Sequence, residues 1–285
     1  MFDLRYHVAS LAAVFIALVI GILVGVGISG RGLVKESERA ILQDRIERLE
    51  RQDRRSQARI RELEAASAYQ RETYEAVMQD RLAGKRFALV FIGSVDGTVR
   101  ANVEQAVEDA AGAPARLRAL KVPIEEVQVR AALRGVPDAP QSLPEIGRAL
   151  AAELLDGGDT PLWDALGDLL VEEREGGMQL PVDGIVVARS ADPQRGPTAR
   201  FLGGFYGGLA SGGVPAVAVE KSDEDPTTIP TFDGAGFVSS VDDVETPTGR
   251  VSLAVLLQGA ETGHFGIKDK KENVPPVPPV VTTAG

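Results

Sequence analysis

Phe87-Ala88-Leu89-Val90-Phe91-Ile92-Gly93 is the stretch that decides the fold. Six consecutive apolar residues stopped by a glycine read as a strand covered on both faces, because a strand with one wet face alternates apolar and polar. Such a strand needs helices above and below it, so its neighbours in sequence should alternate between the two kinds of element. They do. A helical stretch covers about Val99 to Ala111, and Arg116–Val122 reads as a second strand. Helices follow at Ile124–Leu133, Leu143–Leu155 and Pro161–Glu173. The apolar runs resume at Gly184–Ala188 and Pro215–Val219, with a helix at Pro197–Ala210 between them. Phe237–Val241 reads as a fifth strand and Pro247–Leu257 as the last helix. Strands and helices in this rhythm predict βαβ units and a mainly parallel sheet. Residues 85–266 are therefore expected to form one α/β domain of Rossmann-like or flavodoxin-like layout.

Upstream the character changes. From Leu33 to Ala83 there is no Gly and no Pro, and Arg, Glu, Gln and Ala dominate. This predicts one long helix. Placing Leu42, Leu49, Leu63 and Val77 at heptad position d puts Ile46, Ile60 and Tyr74 at a. The seam is interrupted by Asp53 and Ser56, and again by Ser67 and Gln70. Polar residues at a and d lower stability but set register or partner choice. A solitary helix held by ion pairs such as Glu47–Arg51 is the alternative, each pair contributing about 0.2–0.5 kcal/mol. Because a lone helix leaves its Ile/Leu stripe in water, a self-paired or partner-paired coiled coil is the expectation for residues 33–84.

Further upstream, Val8 to Ile28 is 21 residues without a charge, with Ser10 its sole polar side chain. At 1.5 Å per residue this spans about 30 Å, the thickness of a bilayer's hydrocarbon core. A cleaved signal peptide has a shorter apolar region, so a retained anchor over residues 1–32 is expected. Ala9, Ala13, Ala17, Gly21 and Gly25 recur every four residues. Small residues at that spacing let two membrane helices approach closely; they are also simply common in membrane helices. At the other end, residues 267–285 hold Lys268–Glu272 and then Pro275-Pro276-Val277-Pro278-Pro279, a composition that predicts a disordered, Pro-rich tail.

Bulk properties narrow the function. The 285 residues are 44% hydrophobic and 25% charged, enough for a real core, and the net charge of −10 argues against a nucleic-acid partner. With no cysteine, disulfides, thiolate metal sites and cysteine nucleophiles are out of reach. Lys and Arg near the span number one before it (Arg5) and five soon after (Arg31, Lys35, Arg39, Arg45, Arg48). Taken alone, that count places the bulk of the chain inside, although long domains translocate regardless of charge.

Parallel sheets bind ligands beyond the carboxyl ends of their strands. Gly93-Ser94-Val95-Asp96-Gly97-Thr98 lies at such an end but matches neither G-x-G-x-x-G nor a P-loop, so a turn with a capping Asp or Thr is expected. Arg189-Ser190-Ala191-Asp192-Pro193 combines a base, a hydroxyl and an acid, yet the two histidines, His7 and His264, cannot be joined to Ser190 from sequence. It reads as a polar loop. The pairs Gly203-Gly204, Gly207-Gly208 and Gly212-Gly213 suggest a helix face brought close to the sheet or to a second copy. Asp223-Glu224-Asp225 reads as a solvated loop and Asp242-Asp243 as a turn, at most a weak hard-cation site. No catalytic, cofactor-binding or metal-binding residue is assigned, and an enzyme is not expected.

The opening Leu4-Arg5-Tyr6-His7-Val8-Ala9-Ser10-Leu11-Ala12-Ala13-Val14-Phe15, followed by a Gly-rich end of span, a coiled coil and an α/β domain, resembles the actinobacterial MctB family over nearly the whole chain. That family is labelled copper transporter or copper transport outer-membrane protein, and a related SteB-like branch is associated with a membrane complex supporting envelope growth and division. The resemblance implies copper homeostasis on one side and envelope scaffolding on the other, with the domain outside the cytoplasmic membrane. The residues fit copper poorly. Soft copper favours Cys and Met, and beyond the initiator there are just Met78 and Met178. An outer-membrane pore needs a closed barrel of alternating strands, which these short apolar runs between helices do not resemble. The expectation is therefore a single-pass, coiled-coil membrane scaffold whose partners are membrane lipid, a second copy and an envelope or division protein. Copper efflux or transport is the alternative, and an α/β enzyme or small-ligand binder the third.

Overall fold

The computed structural model describes residues 4–28, 33–259, 261–268 and 275. The expected Gly30–Gly32 interruption and most of the Pro-rich tail lie outside those residues. Contacts divide the chain into two units, 1–69 and 70–285.

The first unit holds helix α1 (Leu4–Ile28) and most of α2 (Leu33–Met78). Within α1, His7–Gly27 is long and apolar enough to cross a membrane. The 46 residues of α2 correspond to about 69 Å. Its exposed face carries ion pairs one turn apart, Arg48 with Asp44, Arg51 with Glu47 at 3.9 Å and Arg54 with Glu50 at 3.7 Å. These are solvent-screened and add a few tenths of a kcal/mol each, about what isolated helices gain from such pairs.

The second unit is a three-layer α/β/α domain. Its strands are β1 (Arg86–Ile92), β2 (Ala113–Leu120), β3 (Val171–Glu175), β4 (Gly184–Arg189), β5 (Ala216–Val219), β6 (Ser239–Val241) and β7 (Gly263–Phe265). The helices are α3 (Gly97–Asp109), α4 (Glu126–Ala132), α5 (Leu143–Asp156), α6 (Pro161–Leu170), α7 (Gly196–Ala210), α8 (Ile229–Asp233) and α9 (Pro247–Gln258). One seven-stranded sheet runs β3-β2-β1-β4-β5-β6-β7, with every pair parallel except β2–β3. Without the antiparallel edge strand, the order is that of flavodoxin-like sheets, with the direction of winding reversing between β1 and β4.

β1 lies at the centre because its residues serve both faces. Ala88, Val90 and Ile92 join a core with Ile185, Val187, Leu150, Leu154, Trp163 and Phe201, beneath α4–α7. Phe87, Leu89 and Phe91 point into a second core with Val186, Val217, Val103, Val107 and Leu253, beneath α3 and α9. Met78 and Leu82, at and just beyond the end of α2, are buried in this second core.

The sequence reading and the structure differ at two places, involving three elements. The helix expected to reach Glu173 stops at Leu170, and Val171-Glu172-Glu173-Arg174-Glu175 continues as the antiparallel edge strand β3. Its charges suggested a helix end; they also suit an exposed sheet edge, where charge discourages pairing with another chain. The partner strand supplies the local reason. Arg116 and Arg118 of β2 are buried, and their guanidinium groups donate to carbonyls of Leu154 and Leu180, and of Leu117, Glu175 and Gly176. Extended backbone at 175–176 presents the carbonyls that a helix would keep for itself. The second departure is at the far edge, where β7 and the short helix α8 were both missed. At three and five residues they carry too little periodic signal.

The glycine-rich α7 does approach a neighbour closely, and within the chain that neighbour is α5 rather than the sheet. A β-carbon on Gly204 would collide with the Pro144 carbonyl, and one on Gly147 with the Phe201 carbonyl. One on Gly208 would sit 2.7 Å from the Ala151 Cβ. Gly203 and Gly207, on the other side of α7, face open space.

Candidate functional site

The reversal between β1 and β4 leaves a crevice at the carboxyl ends of these strands, the usual ligand position in such sheets. Here the two loops that frame it are laced together. Ser190 Oγ donates to the Ser94 carbonyl at 2.6 Å, and the Ser190 and Ala191 amides both donate to the Ile92 carbonyl at 3.1 Å. Gly93 permits the closeness: its φ is +98°, and a β-carbon there would meet Ser190 Oγ at 2.8 Å and Ala191 Cβ at 2.9 Å.

The N-terminus of α3, where a nucleotide phosphate would sit, already holds an anion of the chain's own. Asp96 Oδ1 accepts from the Thr98 and Val99 amides at 2.8 and 3.0 Å, while Oδ2 pairs with Lys221 Nζ at 2.9 Å. Burial pushes this carboxyl up, but Lys221 and the two amides outweigh it and hold it below its ordinary range. A carboxylate with both oxygens engaged at a helix N-terminus leaves that end little attraction for a phosphate. Asp96→Ala is expected to destabilise the protein by about 1 kcal/mol, with Asp96→Ser recovering most of it because Ser also caps. Thermal unfolding of the three proteins checks this, and equal losses in both variants would show that capping is not the role of Asp96.

The histidine that sequence could not place lies on β7. His264 Nδ1 is 2.7 Å from Ser240 Oγ and 3.5 Å from Asp233 Oδ1. A catalytic triad uses the two ring nitrogens separately, one for the nucleophile and one for the orienting acid. Here both partners share one nitrogen, and Ser240 is 2% exposed. Asp242 is spoken for within the chain and Asp243 is engaged through one oxygen, its buried Oδ1 having no hydrogen-bond partner. Asp242 accepts from the Ile267 and Lys268 amides, and Asp243 Oδ2 from Thr246 Oγ1 at 2.9 Å. Among the described residues no group of three or more His, Cys, Asp or Glu is gathered to hold a metal ion. Met78 is buried, and Met178 Sδ accepts from Arg116 at 3.3 Å.

Sequence reasoning missed Glu220, which follows directly on the apolar run of β5 and is 3% exposed. It accepts from Thr227 Oγ1, from the Thr228 amide and hydroxyl, and from Lys268 Nζ at 2.8 Å. Lys268, expected in the free tail, is thereby tied to the carboxyl edge of the sheet, and Pro275 is buried. A charge immediately after a fully apolar run is the one signal that pointed there.

The residues assigned to pairing fall into two groups. On α1, Ala9, Ala13, Ala17, Gly21 and Gly25 are all exposed, and β-carbons on Gly21 and Gly25 meet nothing. On α2, Leu42, Ile46, Leu49, Ile60 and Leu63 are each 53–61% exposed. Tyr74 and Val77 are half-buried in the second unit. Tyr74 donates to Asp109 at 2.6 Å and lies beneath the Arg250 guanidinium, 5.6 Å from the ring centre. Burial and the Asp109 bond push its hydroxyl up to about 12. Its contacts therefore serve the α/β domain.

A family model described as "Copper transport outer membrane protein, MctB" matches residues 1–276. The chain belongs to the MctB family. It is similar to the "Copper transporter MctB" of Mycobacterium tuberculosis, with 27% identity over 316 residues spanning 93% of this chain and 96% of that protein. The protein of the same name from Mycobacterium bovis gives the same values. The match embraces the apolar helix, the long helix and the α/β domain together, so the resemblance seen in the Leu-Arg-Tyr-His opening extends along the chain.

Proposed function

We propose that this chain is a single-pass, membrane-anchored scaffold of the cell envelope that works by protein–protein contact, serving copper homeostasis through an assembly. The observation that carries this reading is the exposed stripe Leu42, Ile46, Leu49, Ile60 and Leu63 on a long charged helix that follows a membrane-crossing helix. Burying one Leu or Ile side chain contributes about 1.5–3 kcal/mol, so five left in water are a strong drive toward a second helix. A second copy is the simplest partner, because both chains then present the same seam. The small-residue stripe of α1 supports pairing in the lipid as well. The α/β domain lies outside the cytoplasmic membrane and is the part that meets an envelope or division protein. It does not act as an enzyme.

The relatives' printed name favours a second reading, copper transport. The donor inventory weighs against direct handling of the metal: soft copper wants thiolate or thioether, and the two internal methionines are buried or engaged.

The absence of cysteine makes a clean test available. Ser56→Cys stands at a d position and Ala58→Cys at the outward f position of the same heptad. In membranes, oxidation is expected to give a disulfide-linked dimer at 56 and little at 58; equal yields, or none at 56, would overturn self-pairing. Val127→Cys, on a side chain 78% exposed, is expected to react with a membrane-impermeant maleimide in intact cells, which fails if the domain is cytoplasmic. Stoichiometric Cu(I) binding to the purified chain would favour the second reading.

A further inference from the structure

The exposed seam of α2 is bordered by charges whose order carries information. With Ile46, Asp53 and Ile60 at a and Leu49, Ser56 and Leu63 at d, position g holds Arg45, Gln52 and Arg59. Position e holds Glu50, Gln57 and Glu64. One border is thus basic or neutral throughout and the other acidic or neutral, and all of these border side chains are exposed. The ion pairs within α2 leave most of this charge unused. Arg48–Asp44 and Arg51–Glu47 lie at b, c and f, on the side away from the seam, and Glu50 meets Arg54 at 3.7 Å. Arg45, Arg59 and Glu64 have no ion pair among the described residues.

In a parallel coiled coil, g of one helix faces the following e of the other. Two copies in register therefore set Arg45 against Glu50, Gln52 against Gln57 and Arg59 against Glu64, and the twofold axis repeats each contact. Antiparallel pairing would set g against g and e against e, like charge against like. A parallel slip by one heptad loses every one of these Arg–Glu contacts. It also moves Asp53 from its own copy onto Ile46 or Ile60, leaving a charge in an apolar layer. In register, apolar layers meet apolar layers. Asp53, which accepts from Gln57 Nε2 at 2.9 Å, then meets its equivalent at a cost in stability that fixes register.

We propose that the charged borders of α2 select a second copy of this chain, parallel and in register, with Arg45, Glu50, Arg59 and Glu64 as the residues that decide the partner. This rests on the self-pairing proposed above and goes beyond it. The Ile/Leu stripe drives pairing with any apolar helix, whereas the order of charge distinguishes one partner from another.

Two charge-reversed chains test it, each full length, each carrying Ser56→Cys and its own epitope tag. One has Arg45→Glu with Arg59→Glu, the other Glu50→Arg with Glu64→Arg. Alone, each sets like charge against like at all of these contacts; together they restore opposite charge at every one. Co-expressed and oxidised in membranes, the two are expected to give mixed disulfide at least about tenfold above its random proportion to like-with-like disulfide. Each contact contributes modestly, but each pairing with the wrong copy reverses several at once. Two differently tagged chains that carry Ser56→Cys alone are expected to mix at random. Recovery of the disulfide on mixing also shows that the reversed chains are folded, since neither can supply it by itself. Random mixing of the reversed chains, a preference for like-with-like, or no disulfide between them would each overturn the proposal. The chains with unaltered borders separate this failure from failure of self-pairing. If they give a dimer while the reversed chains mix at random, selection by charge alone is overturned. If they give none, self-pairing itself is overturned, and the seam belongs to a helix of another protein.

Discussion

Gly204→Ala is expected to destabilise the α/β domain by about 3 kcal/mol or more, while Gly203→Ala, one residue away, stabilises it by about 0.5–1 kcal/mol. The difference lies in what each α-carbon faces. At Gly204 the added methyl runs into the carbonyl of Pro144, and backbone cannot swing aside as a flexible side chain can. Relief requires α5 and α7 to move apart, and that gap loosens Gly147 against Phe201 and Gly208 against Ala151 as well. At Gly203 the methyl meets nothing, so the helix-favouring effect of Ala is all that remains. Urea unfolding of the two variants beside the wild-type chain measures the contrast. Similar midpoints for both would mean that the α5–α7 contact is not set by backbone approach.

Glu220→Ala is expected to cost about 3–5 kcal/mol at neutral pH, the range for removing one member of a buried charge pair. The Lys268 ammonium would lose its carboxylate, and the Thr228 amide and the Thr227 and Thr228 hydroxyls would lose their acceptor. The pH dependence has a definite sign. Burial, the largest single influence, pushes the Glu220 carboxyl up, but Lys268, Thr227 and Thr228 together hold it below the ordinary value of 4.5. A carboxyl held lower in the folded state than in the unfolded one stabilises the fold above that ordinary value and loses this as pH falls through its folded value. The stability gap between wild type and Glu220→Gln should therefore be widest above about pH 5 and should narrow progressively below pH 4.5. A gap that stays constant across the acid range would show that Glu220 is not an ionised partner of Lys268.

Much of the architecture was readable because it rests on local signals. The continuous apolar run of β1, the helix starts at Leu143 and Pro161, and the unbroken helix-forming stretch of α2 each follow from neighbouring residues. The edge strands were not readable in the same way. Val171–Glu175 is charged and short, and it becomes a strand because β2 offers it an unpaired edge and two buried arginines that need its carbonyls. The glycine pairs of α7 announced a close approach without naming its partner, since Gly147 is about sixty residues away in sequence.

The Glu220–Lys268 pair shows the same division, because satisfaction of a buried polar group depends on every group that folds around it. Lys268 belongs by composition to a tail, and Glu220, Asp242 and the Glu224 carbonyl together hold it to the sheet.

By itself, the sequence determined a helix long and apolar enough to cross a membrane, a long charged helix with an Ile/Leu stripe, and an α/β domain with a parallel core, because hydrophobic length and period are properties of contiguous residues. The tertiary structure alone decided which edge each short strand takes, which helix meets α7, and how Asp96 fills the anion position at α3. Those outcomes depend on distances between residues far apart in the chain, and only the packed fold sets such distances.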